Sequence, residues 1–424
     1  MAVNLIKPLQ TLQYFFIEKY PYFYKPSMEM KFNPDRDSVS FIKVKRWLGL
    51  EPVWTSIPIF GGTIAALVLI RSLHVVRLKC AHVKCPLLPL KITAWSWITL
   101  LVLCGTYAYY LLFVKFNREF TVGLEQLGSM RSKLLEKASA NNRRKRNRKS
   151  NESNIIVNIL VFWIYVSYFL TPFSVLIIII VEIDPTVQFV EELWHYFPFL
   201  KMLALKIVFG SELMFSLGVG LARYFTVLGV IYEIERLGLW FGALGLYAVD
   251  GFIHVFRMKL GLMMREMAET SNSQIRWYSS VRIMFQTPVP LLVDVAGLGS
   301  LAGGSSVVVC TYIMIRLHSS LPFNFSAIGF PLGFITAVIC TKMGGEMAIH
   351  IYDLSQQYLA HVRKKVEKKR TFENKIAILS LRGMHEICVP VGIFGHKFAN
   401  VTKTCKTDMF RLILDVTLYV LMTF

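Results

Sequence analysis

The sequence predicts an all-α integral membrane protein with seven transmembrane helices, its N-terminus cytoplasmic and its C-terminus extracellular. Three observations predict it. Seven long apolar segments are spread along a chain that is 54% hydrophobic, with a mean hydropathy of +0.49. The loops between them alternate between basic and acidic or uncharged. The last apolar stretch, 409–424, runs into the C-terminus with no tail. About 20 apolar residues are needed for a helix to cross the ~30 Å hydrocarbon core. No segment alternates polar and apolar residues with period two, as barrel strands do. Backbone amides in lipid then bond within their own segment, which makes each span a helix.

Taken in order, residues 1–52 form a mixed polar and aromatic cytoplasmic segment, and 53–424 form one membrane domain. Residues 1–23 have only short apolar patches, broken by Lys7, Gln10, Gln13 and Glu18, unlike a signal peptide. The spans fall near 53–73, 92–114, 155–181, within 202–258, 289–315, 327–349, and from about 404 to 424. The fourth region is too long for one crossing and carries Glu233, Glu235 and Arg236, so part of it lies at the interface or extends as cytoplasmic helix. The seventh must begin near Thr404, because sixteen residues give only ~24 Å of helix.

Loop charge sets the orientation, since Lys and Arg favour the cytoplasmic side. Segment 115–154 holds eleven basic residues, including the run at 143–149, and is placed inside. Segment 182–200 holds Glu182, Asp184, Glu191 and Glu192 with no Lys or Arg, and is placed outside. Segments 257–286 and 352–408 are basic and inside, while 318–326 lacks Lys and Arg and is outside. The loop at 74–91, with Arg77, Lys79, Lys84 and Lys91, disagrees and is outweighed by the larger basic loop after it. Asn324 opens a glycosylation sequon in a predicted outer loop, whereas the sequons at Asn151 and Asn400 fall in predicted cytoplasm.

The net charge of +20 sits in loops, where it meets anionic lipid, so no nucleic-acid partner is expected. The seven cysteines include no CxxC pair, and no metal or cofactor is expected. Cys80 and Cys85 share one loop and leave a disulfide open. No catalytic pattern is found: His385-Glu386 has Val389 where a zinc protease needs its second His, and the glycines at 297–304 lack a phosphate loop's ending. Gly299 and Gly303, four apart, read as a close helix contact.

Charged residues within spans are functional candidates by default. Glu212, Asp250, Asp294, Arg316, Lys342, Glu346, Arg411 and Asp415 lie in or near apolar runs. Glu212 falls early in the fourth span, where an outward pocket could form. Trp95, Trp97, Tyr168, Phe173, Phe215, Tyr312 and Phe330 fall in the outer halves of spans two to six, and with Glu212 they are the candidate pocket residues. An apolar cavity with few polar groups suits a small odorant or tastant, while interface belts use the same aromatics. Val416, Val420 and Thr423 share one face of the last helix by their spacing.

The end of the chain, Thr417-Leu-Tyr419-Val-Leu-Met-Thr-Phe424, together with the 48–52 Leu-Gly-Leu-Glu-Pro stretch and the long basic loop, resembles the arthropod gustatory and odorant receptor superfamily. That family closes with Thr-Tyr, five apolar residues and Gln-Phe. Here Thr417, Tyr419 and Phe424 match, the spacing is compressed, and Thr423 stands in place of the Gln. The resemblance is closer to gustatory than to odorant receptors. It implies a tetrameric ligand-gated cation channel, homo- or hetero-oligomeric, in the plasma membrane. Its last helices line the pore through Val416, Val420 and Thr423, with Val420 as the apolar gate. The alternatives are a G-protein-coupled receptor and a transporter. The first is opposed by the inverted topology and by missing Asp/Glu-Arg-Tyr and Asn-Pro-x-x-Tyr motifs, the second by missing inverted repeats.

Overall fold

The computed structural model describes residues 6–19, 28–33, 38–43, 51–80, 88–141, 152–180, 182, 184–207, 211–265, 270–318, 330–367 and 372–423. Asn324, Phe424, Cys85 and the basic run at 143–149 lie outside them. In chain order the helices are α1 (Ile6–Gln13), α2 (Glu51–Cys80), α3 (Leu88–Tyr110), α4 (Asn117–Asn141), α5 (Glu152–Ile180), α6 (Thr186–Tyr196) and α7 (Pro198–Ile207). They continue with α8 (Glu212–Arg265), α9 (Ser271–Gln286), α10 (Val289–Arg316), α11 (Phe330–Glu367), α12 (Phe372–Arg382) and α13 (Lys403–Thr423). Two hairpins complete the set, β1 (Met28–Asn33) with β2 (Ser38–Lys43) and β3 (Pro390–Ile393) with β4 (His396–Asn400).

Among the described residues six helices are long and apolar enough to cross a bilayer: Pro58–Leu78, Leu88–Tyr110, Leu160–Ile180, Glu212–Met264, Val289–Arg316 and Phe330–Glu367. The seventh expected span corresponds to α13. Its 21 residues would reach ~32 Å, but Lys403, Lys406, Asp408, Arg411 and Asp415 thin its apolar content. α8 is continuous over 54 residues, ~81 Å at 1.5 Å per residue. It is far longer than the hydrocarbon core, so it cannot lie wholly within the bilayer.

Two large cores and two smaller clusters organise the described residues. One gathers Tyr109 of α3, Val175 of α5, Trp240 and Leu244 of α8, and Leu291 of α10. The segment before α2 also enters this core. Leu9, Leu12, Phe15 and Phe16, on α1 and the π-helical turn after it, are buried there, with Phe15 and Phe16 against Tyr168. The second core joins α4, the distal half of α8, α9, the distal half of α11, and α12. Tyr278 of α9 stacks on Tyr358 of α11 at 5.6 Å, and both rings lie against Phe256 of α8. Burial pushes the Tyr278 phenol well above its usual range. Its hydroxyl donates to the His385 carbonyl at 2.9 Å. The three segments read from sequence as basic loops are therefore largely helix, and they meet in one core on one side of the bundle.

The expectation that no segment alternates with period two is corrected by β1, where Met28, Met30 and Phe32 alternate with Glu29, Lys31 and Asn33. Six residues fall short of the ~9–11 of a membrane strand, but they suffice for a hairpin. The second hairpin turns through Phe394 (φ 56°) and Gly395 (φ 79°), the left-handed pair that a two-residue turn requires.

Candidate ligand cavities and the last helix

One cavity lies where α6 and α7 cover the start of α8. It measures about 420 Å³ and is lined by Val190 and Trp194 of α6, Ala204 of α7, and Phe215, Val219 and Arg223 of α8, among others. The amphipathic pattern of α6 supplies its apolar wall. Trp194 and Phe215 face each other with centroids 5.7 Å apart. The cover is held by ion pairs. Arg223 donates to buried Asp184 at 2.5 and 3.2 Å, and Thr186 donates to the same carboxylate. Arg71 of α2 donates to Glu192 at 2.9 and 3.2 Å. Two of the acids that make 182–200 an acidic loop are thus matched by arginines from α2 and α8.

A second cavity of about 690 Å³ lies between α2, α3, α8 and α10. Its walls are apolar apart from Thr106 and Glu233, and Arg236 holds Glu233 at 2.5 Å. Glycines open much of it. The expected Gly299–Gly303 contact splits here. A methyl group at Gly303 would come within 2.5 Å of the Thr341 hydroxyl on α11, so that glycine permits close packing. At Gly299 it would meet no other helix within 4 Å, and Gly299 faces the cavity instead.

Asp294, singled out as an intramembrane charge, is 1% exposed. It accepts hydrogen bonds from the Gly395 amide at 2.7 Å and the Tyr107 hydroxyl at 3.2 Å. It therefore anchors the β3–β4 turn, whose Phe394 lies 5.1 Å from the Tyr107 ring. Gly297 sits directly against the Gly392 carbonyl. The hairpin backbone pairs with itself and with buried protein groups, so its polar atoms are satisfied where it meets the start of α10.

Neither of these two cavities gathers the eight candidate pocket residues. Phe215 lines the first. Trp95 is 1% exposed and packs with Ala66, Leu69, Val76 and Val102. Trp97 is half-buried, and its Nε1 finds no partner among the described residues. Tyr168 donates to the Lys19 carbonyl at 2.8 Å and so ties α5 to the N-terminal segment. Phe173 and Glu212 are exposed. Tyr312 and Phe330 meet Val420 of α13 in a cluster with Leu90, Ile313 and Leu317.

α13 rests on α10 and α11. Gly304 of α10 admits Ile413, Arg316 donates to the Leu421 carbonyl at 2.5 Å, and Lys406 pairs with Glu346 at 3.1 Å. Thr417 is buried, its hydroxyl donating to the Ile413 carbonyl at 2.7 Å. Val420 is turned toward α10, while Val416, Tyr419 and Thr423 are exposed. So are Thr404, Asp408, Arg411, Asp415 and Met422, the last at 82%. These five fall in a sector of about 60° at 3.6 residues per turn.

No family model matches the chain, and no curated protein does. Among solved structures it is similar to the insect olfactory receptor OR5 from Machilis hrabei, with 11% sequence identity and a TM-score of 0.48. The likeness covers 89% of this chain and 92% of that one. The six apolar spans by themselves define a multi-pass helical membrane architecture.

Proposed function

We propose that the chain is a chemosensory receptor of the plasma membrane that works as a ligand-gated, non-selective cation channel. It assembles as a homo- or hetero-tetramer, with the N-terminus inside and α13 as the seventh span. A small apolar odorant or tastant occupies the outward cavity under α6 and α7, where Trp194 and Phe215 present aromatic surface and one charge, Arg223, is already neutralised by Asp184.

The observation that carries this reading is the polar stripe on α13. Arg411 and Asp415 stand ~12 and ~18 Å along the helix, at mid-depth of a span. A charge there costs ~2.5–3.5 kcal/mol on insertion scales, so it faces water or protein rather than lipid. Both are exposed on their own subunit and lie 4.0 Å from each other as an i,i+4 ion pair. Four copies turning this face inward enclose a wet path, and Leu418 and Met422 beyond it form an apolar ring that closes by dewetting. Val416 and Thr423 flank the path. Val420 packs partly against the α10 cluster within its own chain.

Whole-cell and single-channel recording from cells expressing the chain alone tests this. Met422→Ser should raise basal leak, because a hydrated ring no longer dewets. Asp415→Lys should cut cation conductance about tenfold and shift the reversal potential, by like-charge repulsion in the path. Val420→Ser should lower surface expression more than it alters conductance. If conductance and reversal potential stay unchanged in the Asp415 and Met422 variants, α13 does not line the path.

A further inference from the structure

The cavity between α2, α3, α8 and α10 has no part in the channel reading, and it stands or falls independently of that reading. We propose that it is a binding site for the hydrocarbon chain of a bilayer lipid, entered sideways from the membrane.

The volume, about 690 Å³, lies within the ~300–1,000 Å³ of ligand sites. It is an open-sided cleft rather than a tight helix crossing. Methyl groups added at Gly61, Gly105, Gly238, Gly242 and Gly299 would meet no atom of another helix within 4 Å. Gly62, by contrast, abuts the Thr106 side chain and behaves as a close-packing glycine in this wall. Along α8 the lining runs from Gly229 to Gly242, ~20 Å of helix, so the site is elongated.

Depth and polarity select the occupant. Every lining residue falls inside one of the apolar spans, and the medium at that depth is hydrocarbon. Beside the mouth Phe60 and Ile64 are 67% and 60% exposed and face that medium. Water in a cavity needs two to four polar partners, which these walls do not supply. Glu233 is the charged group of the lining, and Arg236 already compensates it. A headgroup or charged ligand gains nothing there, whereas an aliphatic chain replaces void with van der Waals contact.

The full chain in nanodiscs of phosphatidylcholine bearing a diazirine on its acyl chain provides the test. Irradiation should label residues 101–108 and 229–242. The pair Gly105→Leu/Gly238→Leu should reduce that labelling at least fivefold while leaving Phe60 and Ile64 labelled as before. In detergent, added phosphatidylcholine should raise the melting temperature of the wild-type chain but not of the filled variant. Gly105→Ala/Gly238→Ala serves, with a smaller reduction, if the larger pair does not fold. Absent labelling at the two stretches, or equal labelling in a filled variant, overturns the proposal. So does a Gly238→Cys variant that cross-links through this residue to a second copy, which would make the void a subunit interface. Displacement of the label by a channel-activating odorant would assign the cavity to the ligand and overturn the lipid.

Discussion

Gly297 and Gly299 stand two residues apart on α10 and serve opposite ends. Gly297 lies against the carbonyl of Gly392, a backbone atom that cannot swing aside, whereas Gly299 borders empty space. Gly297→Ala should therefore destabilise the protein by ~1–3 kcal/mol, the usual cost of overpacking. Gly299→Ala should be close to neutral or slightly stabilising. Thermal unfolding of the two purified variants in one detergent checks the contrast, and an equal loss in both would remove it. Sequence alone could not separate them. A glycine in an apolar run looks the same whether it admits a neighbouring helix or leaves a gap, and only the facing atom decides. Asp294 shows the converse. Its position marked it as unusual, and the structure gives the reason in the Gly395 amide it holds.

At the scale of elements, apolar runs of twenty residues announced the spans, because lipid permits little besides helix there. The start of α13 at Lys403, beside the expected Thr404, follows from the same length argument. α1 was not legible. The four buried apolar side chains on it and on the turn after it form one short amphipathic stretch, a signal that many solvent-facing helices share. Phe16 is fully buried against Tyr168 and Tyr232. Phe16→Ala should thus cost ~3–5 kcal/mol, and fluorescence-detected size exclusion after a heating series should show it. A melting point equal to wild type would mean that α1 is only an appendage. The eight pocket candidates scattered because aromatic residues in spans serve core packing, belts and pockets alike. Phe215 was among the candidates, but its partner Trp194 comes from α6, an outer helix that loop charge marked only as acidic.

For the whole molecule, orientation rests on loop charge. An epitope at residue 1 should stain only after permeabilisation, and any glycan should vanish with Asn324→Gln. Surface staining at residue 1 in intact cells would invert the assignment, and with it the side on which the cavity under α6 opens. The structure adds that segments 115–154, 257–286 and 352–408 share one core. Sequence could assign them a common side by counting Lys and Arg, but not foresee that they fold against one another, since their pairing joins residues as far apart in the chain as Tyr278 and Tyr358 or Tyr278 and His385.

The length of α8 has a mechanical consequence. Its first turns wall the cavity under α6, and its last turns are buried beside Tyr278 and Tyr358. With ~81 Å of unbroken rod between the ends, a tilt of about 5° at one end would carry the other by about 7 Å. A small adjustment around a bound molecule is thereby magnified by leverage alone. No relay of side chains through the bilayer is needed to carry the news across.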